Sequence, residues 1–361
     1  RYYGMLAELY ASYQEYDKAE QMYDKLFSID STNRLGQISL VKYYQSKNQP
    51  EKALEQYVRI LDQKDIDFGS KLLIFMNFLQ QSKKISQYSS KFENSLDSLN
   101  HYYPDKMEVD ALYADLYLKT NEFKKAVSYL ELLATGPESK YIYWDQLLSI
   151  YSYLGKFEKM FQYGQKALEE FDDKPRIYLL SGIGALQTNK PDSAIHLLEE
   201  GIQYINDDKT MQVQFYTQLG EAYHQTENYK QSDRYFKKVL EVDPGNKLVL
   251  NNYSYYLSQR EEKLKKALVY SYQVIRDEPD NPIYLDTYAW ILYKMGKYQE
   301  AKKYIKKAIE NGGNDDADIL EHYGDILFKT GKEDKAVQIW KQSKNMGNQS
   351  EQINYKLKNK S

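Results

Sequence analysis

Apolar residues recur along this chain three or four apart with polar residues between them, and no run alternates strictly between the two kinds. The first spacing puts side chains on one face of a helix, and without the second no strand is expected. The helical pattern itself repeats. An alanine preceded by polar residues returns at Ala19, Ala53, Ala126, Ala194, Ala267, Ala301 and Ala336, with gaps of 34, 73, 68, 73, 34 and 35 residues. Each gap is close to one or two units of 34, and Met160 and Ser232 fill two of the skipped places. A second ladder of small residues runs through Ala7, Ala114, Gly182, Gly220, Ser254, Ala289 and Gly324, with bulkier Val41 and Leu148 in the same register. Tyrosine or leucine often follows three residues later, as at Tyr10, Tyr44, Tyr117, Tyr151, Tyr223, Leu257, Leu292 and Leu327.

Self-similarity kept over such a length predicts stacked helical hairpins, each too small to bury its own apolar face. One unit holds two helices of roughly a dozen residues and their turns. Small residues at the eighth and twentieth positions let the two backbones approach closely. The pattern resembles the tetratricopeptide repeat family. The best copies read Tyr216, Leu219, Gly220, Tyr223, Ser232, Phe236, Val239, Pro244 and Tyr288, Ala289, Leu292, Ala301, Tyr304, Ala308; Trp144 takes the family's early tryptophan position. The resemblance covers nearly the whole chain, in units beginning near Arg1, Arg34, Phe68, Met107, Tyr141, Pro175, Val213, Lys247, Pro282 and Ala317. It implies an all-α, right-handed superhelical solenoid of about ten helix-turn-helix units. It also implies that first helices line a concave face.

Turn residues punctuate the register: Gly136-Pro137, Pro175, Pro244-Gly245, Pro279, Pro282 and Gly312-Gly313 between units, and Gly155, Gly296 and Gly331 as C-caps within them. The third unit departs from the pattern, because Phe75 stands where a small residue belongs and the following helix is longer and serine-rich; a local bend is expected there. The expected segments are residues 1–106 (units one to three), 107–212 (units four to six), 213–349 (units seven to ten) and a capping helix at 350–361, where Ile353 and Leu357 lie four apart.

Composition narrows the function. The 361 residues carry 49 Lys plus Arg against 52 Asp plus Glu, a net charge of −3 that offers no basic field for nucleic acid. Cysteine is absent, which removes disulfides, thiolate nucleophiles and Cys-ligated zinc. Tyrosine is abundant at 38 residues and suits a large surface over a shallow core. The four histidines, His101, His196, His224 and His322, form no tight ligand cluster and read as satisfied or surface residues. Ser181-Gly182-Ile183-Gly184 and Asn311-Gly312-Gly313-Asn314 lack the remaining residues of phosphate-binding loops. No catalytic residue, metal site or cofactor is expected. No apolar run approaches the roughly 20 residues of a membrane span. The opening at Arg1 rather than Met leads us to expect an upstream segment, where any signal peptide or lipid anchor would lie.

The resemblance implies a non-catalytic scaffold or adaptor that holds a peptide segment or partner protein in its groove. Carried onto the last four units, the groove positions are Glu221, His224, Asn251, Tyr255, Asp286, Trp290, Tyr293, Glu321, Asp325 and Phe328, an aromatic and acidic set. It should prefer neutral or basic segments. No unit has the Lys and Asn pair with which chaperone-binding members clamp a terminal carboxylate. Residues 251–293 are similar to exported bacterial repeat proteins, some of them envelope lipoproteins. That similarity implies an envelope assembly or proteolysis setting, periplasmic or anchored to the outer membrane, with the cytoplasm as the other compartment. The alternatives are a self-associating structural solenoid and an accessory domain of a larger protein.

Overall fold

The computed structural model describes residues 2–61, 63–64, 66–81, 85–348 and 350–359. Arg1, expected to open the first repeat, and Ser82, Lys83 and Lys84, expected within the third, lie outside the described residues. The described residues form 21 α-helices and no strand. Most pair as hairpins in chain order: α1 (Tyr2–Ser12) with α2 (Tyr16–Ile29) and α3 (Arg34–Ser46) with α4 (Pro50–Leu61), whereas α5 (Phe68–Gln81) and α6 (Ser89–Tyr102) pack on α4 and α7 more than on each other. Then follow α7 (Met107–Lys119) with α8 (Phe123–Thr135) and α9 (Tyr141–Tyr153) with α10 (Phe157–Leu168), and after them in the chain α11 (Pro175–Gln187) and α12 (Pro191–Gly201). The last pairs are α13 (Lys209–Gln225) with α14 (Tyr229–Val242), α15 (Lys247–Gln259) with α16 (Leu264–Asp277), α17 (Pro282–Lys294) with α18 (Tyr298–Glu310), and α19 (Ala317–Lys329) with α20 (Glu333–Asn345). A short α21 (Glu351–Lys358) ends them. The chain divides into two compact units, Arg1–Gly184 and Ala185–Ser361, the division falling inside α11.

The small-residue ladder does what its spacing predicts. The Phe236 ring lies over Gly220 so closely that a Cβ there would come within 2.6 Å of it, and Trp340 lies over Gly324 at 2.4 Å from the same imagined atom. Ser232 donates from its hydroxyl to the Gly220 carbonyl at 2.8 Å, which removes the cost of burying both groups where the helices meet. Ala19, Ala53, Ala126, Ala194, Ala267, Ala301 and Ala336 are all fully buried. Nine of the turns between consecutive helices carry left-handed backbone, at Gln14, Asn48, Asn121, Gly155, Asn189, Glu227, Glu261, Gly296 and Gly331, with φ between +54° and +76°, and Lys263 at +47° is a second such residue in the α15–α16 turn. Three are the expected glycines, and asparagine tolerates the conformation. In most of these turns the next amide returns to a carbonyl at the end of the first helix, as from Lys156 to Tyr151 at 2.8 Å and from Lys297 to Leu292 at 2.9 Å.

Tyrosine joins neighbouring hairpins. Tyr117 of α7 donates to Glu93 of α6 at 2.6 Å, and Lys125 of α8 reaches the same carboxylate at 3.2 Å while lying 4.9 Å from the Tyr117 ring. Tyr151 of α9, Glu131 of α8 and Lys159 of α10 repeat the arrangement one hairpin later. In the second unit Tyr223 of α13 donates to Glu199 of α12 at 2.5 Å. Each ring is buried and each hydroxyl reaches a charge at the rim, so one residue type serves packing and registration together. In the third repeat, Phe75 is fully buried against Tyr57 and Phe92, with ring centroids at 5.2 and 5.9 Å. Its bulk occupies the slot a small residue leaves open elsewhere, and α6 lies chiefly against α4 and α7.

The slot at Gly220 yields a direct prediction. Gly220→Leu forces the Phe236 ring aside and should lower stability by about 1–3 kcal/mol; chemical denaturation followed by circular dichroism at 222 nm measures it. Unchanged stability would mean that close approach does not hold this hairpin together.

Candidate functional site

In the second unit, the first helices α15, α17 and α19 stand side by side, one repeat apart. Asn246, Asn281 and Asp316 cap them by accepting from backbone amides two or three residues on, which fixes where each helix starts and therefore which side chains align. Tyr255, Trp290 and Asp325 reach equivalent places and share a cleft of about 310 Å³ with Gln259, Lys294, Asp318, Glu321, His322, Gln352 and Lys356. Its lining combines two kinds of chemistry. Trp290 stacks on His322, with ring centroids at 4.0 Å, and on Tyr293 at 4.7 Å, and the Lys294 ammonium lies 5.2 Å from the indole. The carboxylates Asp318, Glu321 and Asp325 line the same cleft.

The column rests on a buried ion pair. His322 Nδ1 lies 2.9 and 3.0 Å from the two carboxylate oxygens of Asp286 on the neighbouring repeat, and both residues are buried. Burial works against a charged imidazole, but the charge and hydrogen bond of Asp286, with Asp325 and Glu321 nearby, outweigh it and hold the His322 pKa above its ordinary value. Burial pushes the Asp325 carboxyl up, against the opposing pull of Lys356 and His322. Burial also works on Glu321, but hydrogen bonds from Lys356 and Asn348 and the Lys356 charge hold its pKa below the usual range. Burial raises Tyr255 and Tyr293 to about 12, so both remain neutral donors.

The ten expected groove residues therefore separate into distinct places. Tyr255, Trp290, Glu321 and Asp325 line the cleft, and Asp286 lies beneath it as the partner of His322. Tyr293 and Phe328 line an adjoining recess of about 330 Å³ with Asp325, Trp340, Tyr355, Lys356 and Asn359. Glu221 and His224 belong to a separate polar nest, where Glu221 accepts from Tyr256 and, at 3.2 Å, from Asn252. Burial pushes Glu221 up, and burial with the Arg260 charge pushes His224 down to about 4. Asn251 is buried, donating to Asn252 at 3.3 Å. Two contributors were missed in the sequence. His322 was read as a satisfied or surface histidine; it is the satisfied kind, and it also carries the tryptophan. Lys356 comes from the tail. Its signal was its place three residues after Ile353 and beside Leu357, at the flank of the tail's apolar stripe.

Comparison with known proteins agrees with this architecture. A family model described as Tetratricopeptide repeat matches residues 209–345, and a second with the same description matches residues 1–33. The tetratricopeptide repeat protein 21 homolog of Caenorhabditis briggsae is 23% identical over 199 residues, 54% of this chain and 15% of that protein's length. Among solved structures, a tetratricopeptide repeat protein from Parabacteroides merdae ATCC 43184 aligns with a TM-score of 0.57 and 18% identity, covering 70% of this chain and 97% of that one. A chain of the APC/C hetero-tetramer Cut9-Hcn1 aligns at 0.55 and 13% identity, covering 98% of this chain and 74% of its own. Residues 209–345 and 1–33 thus match tetratricopeptide repeats, and the fold resembles that of solved tetratricopeptide repeat structures. Among the described residues, no helix is long and apolar enough to cross a membrane.

The Asp286–His322 pair gives a pH dependence of known sign. A folded-state pKa held above the ordinary 6.5 makes the pair's contribution full below that value and lost as pH rises through the folded pKa. The melting-temperature difference between the wild type and His322→Gln should therefore be largest near pH 6 and shrink toward pH 9. A difference that stays constant, or grows with pH, would show that His322 is neutral in the fold.

Proposed function

We propose that this protein is a non-catalytic adaptor that holds a neutral or basic segment of a partner protein in the cleft lined by α15, α17 and α19. The observation that carries the reading is the cleft itself, whose lining brings aromatic side chains and three carboxylates together. Stacked Trp290, Tyr293 and His322 offer a rigid platform for an apolar or cationic side chain, at little cost in conformational entropy. Asp318, Glu321 and Asp325 orient the segment and select against acidic ones. The setting we favour is a bacterial envelope assembly or proteolysis machine, supported by the similarity of residues 251–293 to exported bacterial repeat proteins.

Capture of partners from native cells tests it, with the wild type compared with Trp290→Ala/Tyr293→Ala after circular dichroism has established that both are equally helical. Losing a buried aromatic anchor costs on the order of 2 kcal/mol or more, so recovery should fall more than about tenfold. Equal recovery of every partner would remove this cleft from the account.

A second reading, self-association, is favoured by α1. Tyr2, Met5 and Leu9, with Tyr13 just past the helix end, form one apolar stripe at 72%, 62%, 50% and 72% exposure. A sedimentation coefficient that rises with concentration in the micromolar range, and stops rising in Met5→Glu/Leu9→Glu, is the expected result; a strict monomer excludes it.

A further inference from the structure

Beyond α20 the chain turns back on the repeat it has just completed. Gly347 makes the reversal with φ +106°, a backbone region closed to most residues with a side chain. Ser350 caps α21, its hydroxyl accepting from the Ile353 amide at 3.1 Å. Ile353 is fully buried in the cluster formed by α17 to α20, and Leu357 packs against the same cluster. This places Lys356 over α19. Its ammonium donates to Glu321 at 2.6 Å and to Asp325 at 2.8 Å, and lies 5.8 Å from the Trp340 ring. Asn348 of the same tail donates to the other Glu321 oxygen at 2.6 Å. Asp325 also accepts from the Trp340 indole at 3.0 Å.

The tail thus binds two of the three carboxylates that line the cleft through Lys356, and Asn348 reaches the third, Asp318, at 3.5 Å. The ion pairs are shielded, with side-chain exposures of 20% for Lys356, 13% for Glu321 and 9% for Asp325. Yet the segment carrying Lys356 is an eight-residue helix with one fully buried side chain. A helix that short does not persist once undocked. We infer that α21 is an internal competitor: Lys356 occupies the carboxylates that a basic partner segment would use, so docking of α21 and capture of such a segment exclude one another. This inference rests on the cleft being the partner site. A basic partner's apparent affinity is then reduced by the fraction of molecules in which α21 is docked.

The experiment titrates fluorescein-labelled octalysine against the full chain, Lys356→Met, Lys344→Met and Lys356→Met/Glu321→Gln/Asp325→Asn, read by fluorescence anisotropy. Lys344 is exposed on α20, so its replacement changes the net charge equally without touching the cleft. Lys356→Met keeps the buried Ile353 anchor, so the terminal repeat stays covered. Lys356→Met should bind octalysine about tenfold more tightly than wild type or more, Lys344→Met within about twofold of wild type, and the triple variant should lose the gain. Hydrogen exchange at residues 351–358 of the wild type should quicken when octalysine is added. Equal affinity of wild type and Lys356→Met, with the triple variant still weaker, would overturn the competition and leave the cleft reading standing. Binding that ignores Glu321 and Asp325 altogether would bring down both.

Discussion

Close approach of two antiparallel helices over a small residue is the constraint on which the rest of this molecule depends. Where Gly220 meets Phe236, and Gly324 meets Trp340, an aromatic ring of the second helix lies flat against the backbone of the first. The ring can reach that depth because no Cβ stands in its way, and the contact sets both the distance between the helices and their rotation. Rotation matters most for the site. Once the small residue faces its partner helix, the residue beside it, about 100° further round, faces the cleft. Trp290 follows Ala289 and Asp325 follows Gly324, so the packing contact and the cleft are consecutive residues of one helix.

A second layer of interactions joins one hairpin to the next, and it explains the abundance of tyrosine. A hairpin's apolar face finishes against its neighbour, and at that seam Tyr117, Tyr151 and Tyr223 each present a buried ring and a hydroxyl that reaches a glutamate of the preceding repeat. Phenylalanine would fill the same space but leave the register less defined. Leucine would do neither as well. The third repeat shows the opposite case, since Phe75 fills its slot completely and α6 finds its packing on α4 and α7.

The cleft combines both layers with a tail that folds back. Asp286 and His322, side by side on adjacent first helices, form a buried pair that supports Trp290, so the aromatic platform is held by electrostatics as well as by packing. The carboxylates of Glu321 and Asp325 are shared between the cleft and Lys356. Acidic residues gathered in one cleft would repel one another if left bare. A lysine supplied by α21 neutralises them and at the same time makes them conditional on where α21 sits.

The repeat, the helical class, the places of the small residues and the glycine caps were all legible in the order of residues. Each depends on a contact within one hairpin or between adjacent ones, and such contacts leave a fixed interval behind them. Tyr255, Trp290 and Asp325 share one cleft for the same reason, because each follows the small residue of its helix by one step. Residue order left open which of those positions would meet. Asp286 and His322 lie 36 residues apart. Lys356 and Glu321 lie 35 apart, but the tail carries no repeat whose register could announce the contact. Whether Trp290 stands alone or stacks, whether Asn251 is exposed or buried, and who neutralises Glu321 and Asp325 were settled by side chains converging from different repeats and from α21. Periodicity records what every repeat must do alike, whereas a site is made from the positions at which repeats differ.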